Sequence, residues 1–211
     1  MLHTPPGAPP WPVPPGLVSE RDESGVILSR LPSPEAAPVL EISPRMGAGP
    51  RTALLNALAD EGSWTGPIRA WARSLAPRGS RRTAADVAAQ VLRGVRARVD
   101  YLPDPAGSAD FFARVPWILQ TGADDCEGLS VLFVALARAS GLAASVVWLD
   151  QPGAPQNHVS ARVYLPGAGW TWAECSVPAA LGEHPYDAVR RYRASRARGI
   201  VAPSGNLLGA I

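Results

Sequence analysis

Residues 123–141 of the chain read ADDCEGLSVLFVALARASG and predict one helix that its domain largely encloses. Asp124 or Asp125 is suited to cap the start of this helix, and Gly141 stands where a left-handed residue commonly ends one. Nearly every position on the buried face between them is apolar. Because such a helix needs other elements around it, we expect it to lie at the centre of a folded domain.

Three β-like segments follow this helix. The continuous apolar run ASVVWL at 144–149 is typical of a buried strand. The segment HVSARVYL at 158–165 alternates between apolar and polar residues, and WTWAEC at 170–175 returns after a turn at 166–169. Two such segments joined by a short turn predict an antiparallel hairpin.

Helical patterns precede the central helix. The spacing of apolar residues predicts helices over 52–59, 66–76 and from a cap at Thr83 to about Val99, and residues 100–107 are predicted to form a loop. The order is therefore helices first, then a helix packed on an antiparallel sheet. This order predicts an α+β fold.

Prolines divide the chain unevenly, with twelve of the 23 in residues 1–50. A proline-rich stretch favours extended geometry, so we expect an arm here, in which Val26–Leu28 and Val39–Ile42 are edge strands or segments that dock on a partner. The alternative is a flexible leader. Residues 51–185 are predicted to form the domain. Residues 186–211 are predicted to form an arginine-rich helix and tail, either solvated or docked on an acidic protein surface or nucleic acid.

Composition excludes several classes of protein. The chain has 211 residues, 46% of them hydrophobic, which is enough for a core and excludes wholesale disorder. All twenty basic side chains are arginine, yet the net charge is only +2, which does not favour a general nucleic-acid binder. No apolar run approaches a membrane span, and the first residues lack the pattern of a signal peptide. We therefore expect a cytoplasmic protein, with export by another route left open.

A set of three residues carries the candidate chemistry. Cys126 falls in the first turn of the central helix, where the positive helix terminus favours a thiolate. His158 opens one strand of the hairpin and Glu174 lies near the end of the other, so the two side chains can meet. A cysteine, a histidine and a carboxylate together can provide a nucleophile, a base and a group that orients the base.

The same segments resemble the transglutaminase-like superfamily of papain-type cysteine enzymes. The motifs are DDCEGLSVLFVALARASGLAA at 124–144, then HVSARVYL and WTWAEC, and the resemblance covers residues 65–188. Intervals of 32 residues from Cys126 to His158 and of 16 from there to Glu174 fit the family. The main departure is Glu174, where the family usually has aspartate. VRARVDYLPD at 95–104 is similar to the lead-in of phage and prophage members.

The resemblance implies thiol-dependent acyl transfer on amide bonds of a protein or peptide substrate, with no cofactor. Water as the acceptor gives a cysteine protease or amidase, and an amine gives a transglutaminase; we favour hydrolysis. The alternative is a catalytically degenerate fold that serves as a structural or assembly component of a phage-like particle. Its assembly partners would be contacted through the arm and the tail, and the glutamate at position 174 suits this alternative too.

Each candidate residue also has a simpler interpretation. Cys126 can be an ordinary buried cysteine, and Glu174 a solvated charge at a strand edge. Trp172 is a candidate wall of the cleft or simply part of the core, and Gln120 or Trp117 is a candidate donor to the oxyanion. Asp124, Asp125 and Glu127 would oppose a thiolate at Cys126 by their charge, unless Asp125 turns away as a cap.

Metal binding and a disulfide are not indicated by the cysteines. Cys126 and Cys175 lie far apart in the sequence without the close ligand spacing of zinc sites, so no metal is predicted. Strand alternation directs Cys175 to the face opposite Glu174, which argues against a disulfide between the two cysteines.

Overall fold

The structure, a computed structural model, describes residues 18–21, 27–30, 39–43, 45–75, 83–104, 110–150 and 157–197. Its helices are α1 (Ala48–Ser63), α2 (Gly66–Leu75), α3 (Ala84–Arg98), α4 (Val115–Thr121), α5 (Cys126–Ala139) and α6 (Pro185–Ala197). Its strands are β1 (Val18–Arg21), β2 (Ile27–Arg30), β3 (Val39–Ile42), β4 (Asp100–Tyr101), β5 (Asp110–Ala113), β6 (Ala123–Asp124), β7 (Ala144–Leu149), β8 (His158–Leu165) and β9 (Gly169–Ala173).

The strands form three separate sheets in the described part of the chain. An antiparallel sheet has the order β1-β2-β3-β5, and a second antiparallel sheet has the order β7-β8-β9. The short strands β4 and β6 form a parallel pair. The two larger sheets are antiparallel and pack against helices, so the predicted α+β fold is confirmed.

Helix α5 is the centre of the core. All of its residues from Gly128 to Ala137 are buried. It contacts α1, α2, α3 and α4 on the helical side and β7 and β8 on the side of the sheet. Because this helix carries apolar side chains on all of its faces, it is stable only when other elements cover it on all sides. The prediction of an enclosed central helix is confirmed, with Asp125 as its N-cap and Gly141 at a φ of 84° just beyond its end.

The parallel pair β4–β6 brings the segment after α3 to the start of α5. Tyr101 pairs with Asp124, two residues before Cys126. The Asp124 carboxyl packs directly on Gly128, where an added Cβ would lie 2.1 Å from the carboxyl carbon. Only glycine fits there. Residues 100 and 101, predicted as loop, therefore form a short strand that helps to build the site.

Helix α1 is longer than the predicted 52–59, and α4 was not predicted. Pro50 lies in the first turn of α1. Because the amides of a first turn have no partner within the helix, a proline without an amide hydrogen is tolerated there, and the helix can begin before its apolar pattern does. Gly62 then lets α4 approach closely, since an added Cβ would lie 2.4 Å from the Val115 side chain. Helix α4 has only seven residues and no side-chain cap, so its sequence carries little helical signal.

The described segments outside 51–185 also contribute structure. β3 pairs with β5, and Leu40 and Ile42 are buried in the main core. Helix α6 packs through Ala188 and Tyr192 against Val177 in a second, smaller cluster. The described part excludes most of the segment 1–38 and all of the segment 198–211. The described helices include none whose length and hydropathy would allow it to cross a membrane.

Candidate active site

Cys126 is the first residue of helix α5. The Asp125 side chain accepts hydrogen bonds from the amides of Glu127 at 2.9 Å and Gly128 at 3.4 Å, so it caps the helix as one of the two sequence alternatives predicts. The Asp125 side chain does not accept a hydrogen bond from the amide of Cys126, which is also a donor of the first turn. The Cys126 sulfur donates a hydrogen bond to Glu127 Oε2 at 2.9 Å.

His158 and Glu174 are in direct contact across the β8–β9 hairpin. His158 Nε2 lies 2.7 Å from Glu174 Oε2. The strand register pairs Ala161 with Ala173, so the histidine and the glutamate meet as diagonal rather than directly opposite neighbours. The longer glutamate side chain can span this diagonal. Because Nε2 is engaged, Nδ1 is the ring nitrogen that can take a proton from a thiol.

Ser176 fixes the other oxygen of Glu174. Its amide and its hydroxyl both donate to Glu174 Oε1, at 2.7 and 2.6 Å. The Glu174 side chain has no exposed surface. Burial acts to raise the pKa of this carboxyl, but the bonds from His158 and Ser176 outweigh it and hold the pKa below its usual value. Glu174 is therefore a fixed anion behind the imidazole.

Arg96 ties the end of α3 to the segment that carries Glu174. Its guanidinium donates to the backbone carbonyl of Glu174 and, at 2.9 Å, to that of Ala179. These bonds hold the chain immediately after β9. The bonded residues are separated by 78 and 83 positions in the sequence, so these bonds fix tertiary rather than local geometry.

A cleft of about 370 Å³ opens at the start of α5. Cys126 and His158 both line it, so the thiol and the imidazole face the same space. Its aromatic lining residues are Tyr101, Trp148, Tyr186 and Tyr192, and its acidic ones are Asp104, Asp110, Asp125 and Glu127. The cleft therefore offers a nucleophile and a base to a molecule that enters it.

The surroundings of Cys126 favour the neutral thiol. Burial raises the pKa of this thiol well above its usual value, and the charges of Glu127 and Asp125 raise it further. The backbone amide of Val159 acts in the opposite direction. The carboxylates thus oppose a thiolate, as expected from the sequence, and the sulfur is protonated at rest. Nucleophilic attack then requires a base that removes the proton.

Neighbouring carboxyl groups are also shifted. Burial raises the pKa of Asp104 to about 7 and the pKa of Asp124 to about 8. The charge of Glu127 contributes to both increases. At neutral pH these groups hold protons in the folded chain that they release in the unfolded chain. The free energy of unfolding is therefore coupled to pH.

We expect the chain to be less stable at pH 9 than at pH 5. An unfolded aspartate has its ordinary pKa of 3.8, whereas folded Asp104 and Asp124 have pKa values of about 7 and about 8. The free energy of unfolding therefore falls as the pH rises from 5 to 9, by about 1.4 kcal/mol per pH unit for each group until the pH reaches its folded pKa. Urea unfolding at the two pH values measures the difference.

The matched variants are Asp124→Asn and Asp187→Asn. Asp124→Asn removes one of the shifted groups but keeps the oxygen that accepts from the Asp125 amide at 2.8 Å, so it should reduce the pH dependence. Asp187 is an exposed carboxylate paired with Arg190, and its replacement should leave the dependence unchanged. If the free energy of unfolding of Asp124→Asn depended on pH as strongly as that of the wild type, the prediction would be wrong.

The other candidate residues do not line the cleft. Gln120 is exposed on α4, where the turn at Gly122, with a φ of 67°, separates it from Cys126. Trp117 packs against the core, and its indole nitrogen is buried without a partner among the described residues. Trp172 packs edge-on against His184 at 5.4 Å between ring centroids. Their roles as oxyanion donors or as a cleft wall stay predictions.

Four residues of the site were not found from the sequence. Tyr101 and Asp104 enter the cleft through the β4–β6 pairing; both lie in the 95–104 segment that resembles phage members, but that resemblance assigned the segment no role in the site. Ser176 and Arg96 act on Glu174 through hydrogen bonds. Arg96, Tyr101 and Asp104 could have been found through the 95–104 resemblance. Ser176 could have been found through its hydroxyl, two residues after the candidate carboxylate Glu174.

One group of potential metal ligands occurs among the described residues. Oxygen and sulfur atoms of Asp125, Cys126 and Glu127 lie within 4.8 Å of one another. Each has another explanation here, since Asp125 caps the helix and Glu127 accepts the thiol hydrogen. Nothing further in the described part points to an ion at this position.

Comparisons with known proteins place the chain in a family. A family model, the transglutaminase-like superfamily, matches residues 69–175. No curated protein matches the chain. A candidate protease from Parabacteroides distasonis ATCC 8503 is 10% identical, with a TM-score of 0.44 over 74% of this chain and 35% of its own. A candidate cysteine protease from Cytophaga hutchinsonii is 14% identical, with a TM-score of 0.43 over 65% and 48%.

The chain thus spans between a third and a half of the length of these two solved structures. The family model, in contrast, covers just over half of this chain and contains Cys126, His158 and Glu174 within its match. The resemblance seen in the sequence motifs is confirmed. The chain belongs to the transglutaminase-like superfamily.

Proposed function

We propose that the chain catalyses thiol-dependent acyl transfer on amide bonds, with Cys126 as nucleophile, His158 as general base and acid, and Glu174 as the group that orients His158. The observation that carries this proposal is the 2.7 Å bond from His158 Nε2 to buried Glu174, with His158 and Cys126 lining one cleft. A neutral thiol, an imidazole with Nδ1 available and a fixed carboxylate are the parts that such chemistry needs.

The first half-reaction forms a thioester. As the Cys126 sulfur attacks the amide carbonyl carbon, its proton passes to His158 Nδ1. His158 then gives this proton to the leaving nitrogen, the carbon–nitrogen bond breaks and the amine departs. Glu174 stays ionised throughout and stabilises the imidazolium that forms between the two proton transfers. The amide of Cys126, which the helix cap leaves available, can donate to the oxyanion of the tetrahedral intermediate.

The second half-reaction returns the enzyme. Water attacks the thioester carbonyl as His158 Nδ1 takes its proton, the carbon–sulfur bond breaks and the sulfur regains a proton from His158. An amine in place of water gives transamidation by the same steps. We favour hydrolysis of a protein or peptide, because water reaches an open cleft without a dedicated second site.

A catalytically inactive assembly component is the second candidate function. Two observations favour it: Glu174 replaces the usual aspartate, and burial, together with the charges of Glu127 and Asp125, raises the pKa of the Cys126 thiol. In such a protein the His158–Glu174 bond would serve only to stabilise the hairpin. This candidate predicts that Cys126 reacts no faster than a simple thiol of similar exposure.

A peptide vinyl sulfone distinguishes the two candidates. It forms a thioether with an activated cysteine, and mass spectrometry of the digested protein identifies the labelled residue. We expect Cys126 to be labelled and Cys175 to stay unlabelled, since Cys175 is 1% exposed. The Cys126→Ala variant should carry no label, and Cys175→Ser should react like the wild type. Labelling no faster than that of glutathione would contradict the proposed function.

A further inference from the structure

Four acidic residues line the cleft beside the thiol. Of the four that line it, Asp110 is paired with Arg51 and Asp125 caps helix α5. Glu127 and Asp104 have no cationic partner among the described residues, and Asp104 meets only the amide of Phe111 at 3.4 Å. Two carboxyl groups therefore face the cleft without a positive charge to balance them.

A buried hydroxyl group in the same lining also lacks a partner. Tyr192 is 6% exposed, lines the cleft, and its hydroxyl accepts or donates no hydrogen bond in the described part of the chain. A buried hydroxyl without a partner costs free energy unless a ligand satisfies it. A molecule that enters the cleft can provide the missing hydrogen bond.

Aromatic rings provide a third feature of the lining. Tyr101 and Trp148 face the cleft, and the guanidinium of Arg51 already lies over the Trp148 ring at 4.8 Å. Ring faces attract cations, and unpaired carboxylates attract them more strongly. The positively charged side chains of this lining are His158, when protonated, and Arg193, which is exposed on α6.

We propose that the cleft selects amide substrates that carry a cationic group, a primary ammonium or a guanidinium, next to the scissile bond. This inference rests on the proposed function and names the chemical class of its substrate. The cation would lie between Asp104 and Glu127, where it would displace to solvent the proton that Asp104 holds in the free protein. A polar group of the substrate would bond to the Tyr192 hydroxyl. An anionic group in the same place would add a further negative charge to an acidic wall.

Such a cation also acts on the nucleophile. Glu127 now accepts the thiol hydrogen of Cys126 at 2.9 Å, and a cation at Glu127 would compete for the same carboxylate. It would also offset the negative charge that opposes a thiolate. The cation should therefore raise the rate of covalent bond formation as well as the affinity of the substrate.

The test compares three vinyl sulfone peptides that are identical except at the residue next to the reactive group, which is arginine, norleucine or glutamate. The measurement is the second-order rate of Cys126 labelling in the full-length protein, together with its saturating rate. We expect the arginine probe to react at least 10-fold faster than the norleucine probe, and the glutamate probe to react slowest. Part of the preference should appear in the saturating rate.

Two variants examine the origin of the preference. Asp104→Asn should reduce the ratio between the arginine and norleucine rates several-fold. Asp60→Asn, which removes an exposed carboxylate of α1 outside the cleft, should keep the wild-type ratio. Equal rates for the arginine and norleucine probes, or an unchanged ratio in Asp104→Asn, would overturn this inference alone. Absence of Cys126 labelling by all three probes would overturn the proposed function and this inference with it.

Discussion

Glu174→Gln is expected to lower the rate of amide hydrolysis by about 10⁴-fold with little change in fold, by analogy with the loss seen when a buried triad carboxylate becomes an amide. Ser176 donates two hydrogen bonds to Oε1, so the glutamine oxygen should take that position. The amide nitrogen must then face His158 Nε2. It would donate a hydrogen to Nε2, place the imidazole proton on Nδ1 and leave no acceptor for the thiol proton.

The experiment compares the hydrolysis rates of the wild type, Glu174→Gln and Glu183→Gln with the same cationic peptide substrate. Glu183 is the next glutamate along the chain and pairs with Arg191 at 2.8 Å, so its glutamine variant is a matched control that should keep wild-type activity. Nitrogen-15 NMR of the imidazole should show the proton on Nδ1 in Glu174→Gln. Full activity of this variant would show that Glu174 does not set the state of His158.

His158→Ala is expected to slow the reaction of Cys126 by about 10²–10⁴-fold, the usual contribution of a general base. Burial and the charges of Glu127 and Asp125 raise the pKa of the thiol, so few molecules hold a thiolate without help. Among the described residues that line the cleft, His158 provides the imidazole nitrogen that can accept the proton of Cys126. Its removal leaves the thiol neutral, whereas the helix and the hairpin should remain folded.

The central helix and the hairpin could be predicted because their signals are local. Asp125 and Gly141 mark the two ends of α5, and the apolar residues between them show no exposed face. Alternation in β8 and a short turn before β9 indicate an antiparallel pair, which brings His158 near Glu174. Each of these features depends on residues close together in the sequence, and the family motifs are built on them.

The acidic wall of the cleft could not be predicted because long-range pairing builds it. Asp104 reaches the cleft only because Tyr101 pairs with Asp124 in strands of two residues, which are too short to have a pattern. The diagonal contact of His158 with Glu174 depends on the register of the hairpin. The sequence also suggested Gln120 as an oxyanion donor because it lies six residues before the cysteine, yet the left-handed turn at Gly122 intervenes and Gln120 is exposed.

The most direct test of the account is the rate at which iodoacetamide alkylates Cys126 at pH 7, measured by mass spectrometry in a Cys175→Ser background. His158→Ala should react at least 100-fold more slowly than its parent. His184→Ala, which removes a histidine that contacts Trp172 and does not line the cleft, should react at the parent rate. Equal rates for His158→Ala and its parent would contradict the claim that His158 takes the proton from Cys126.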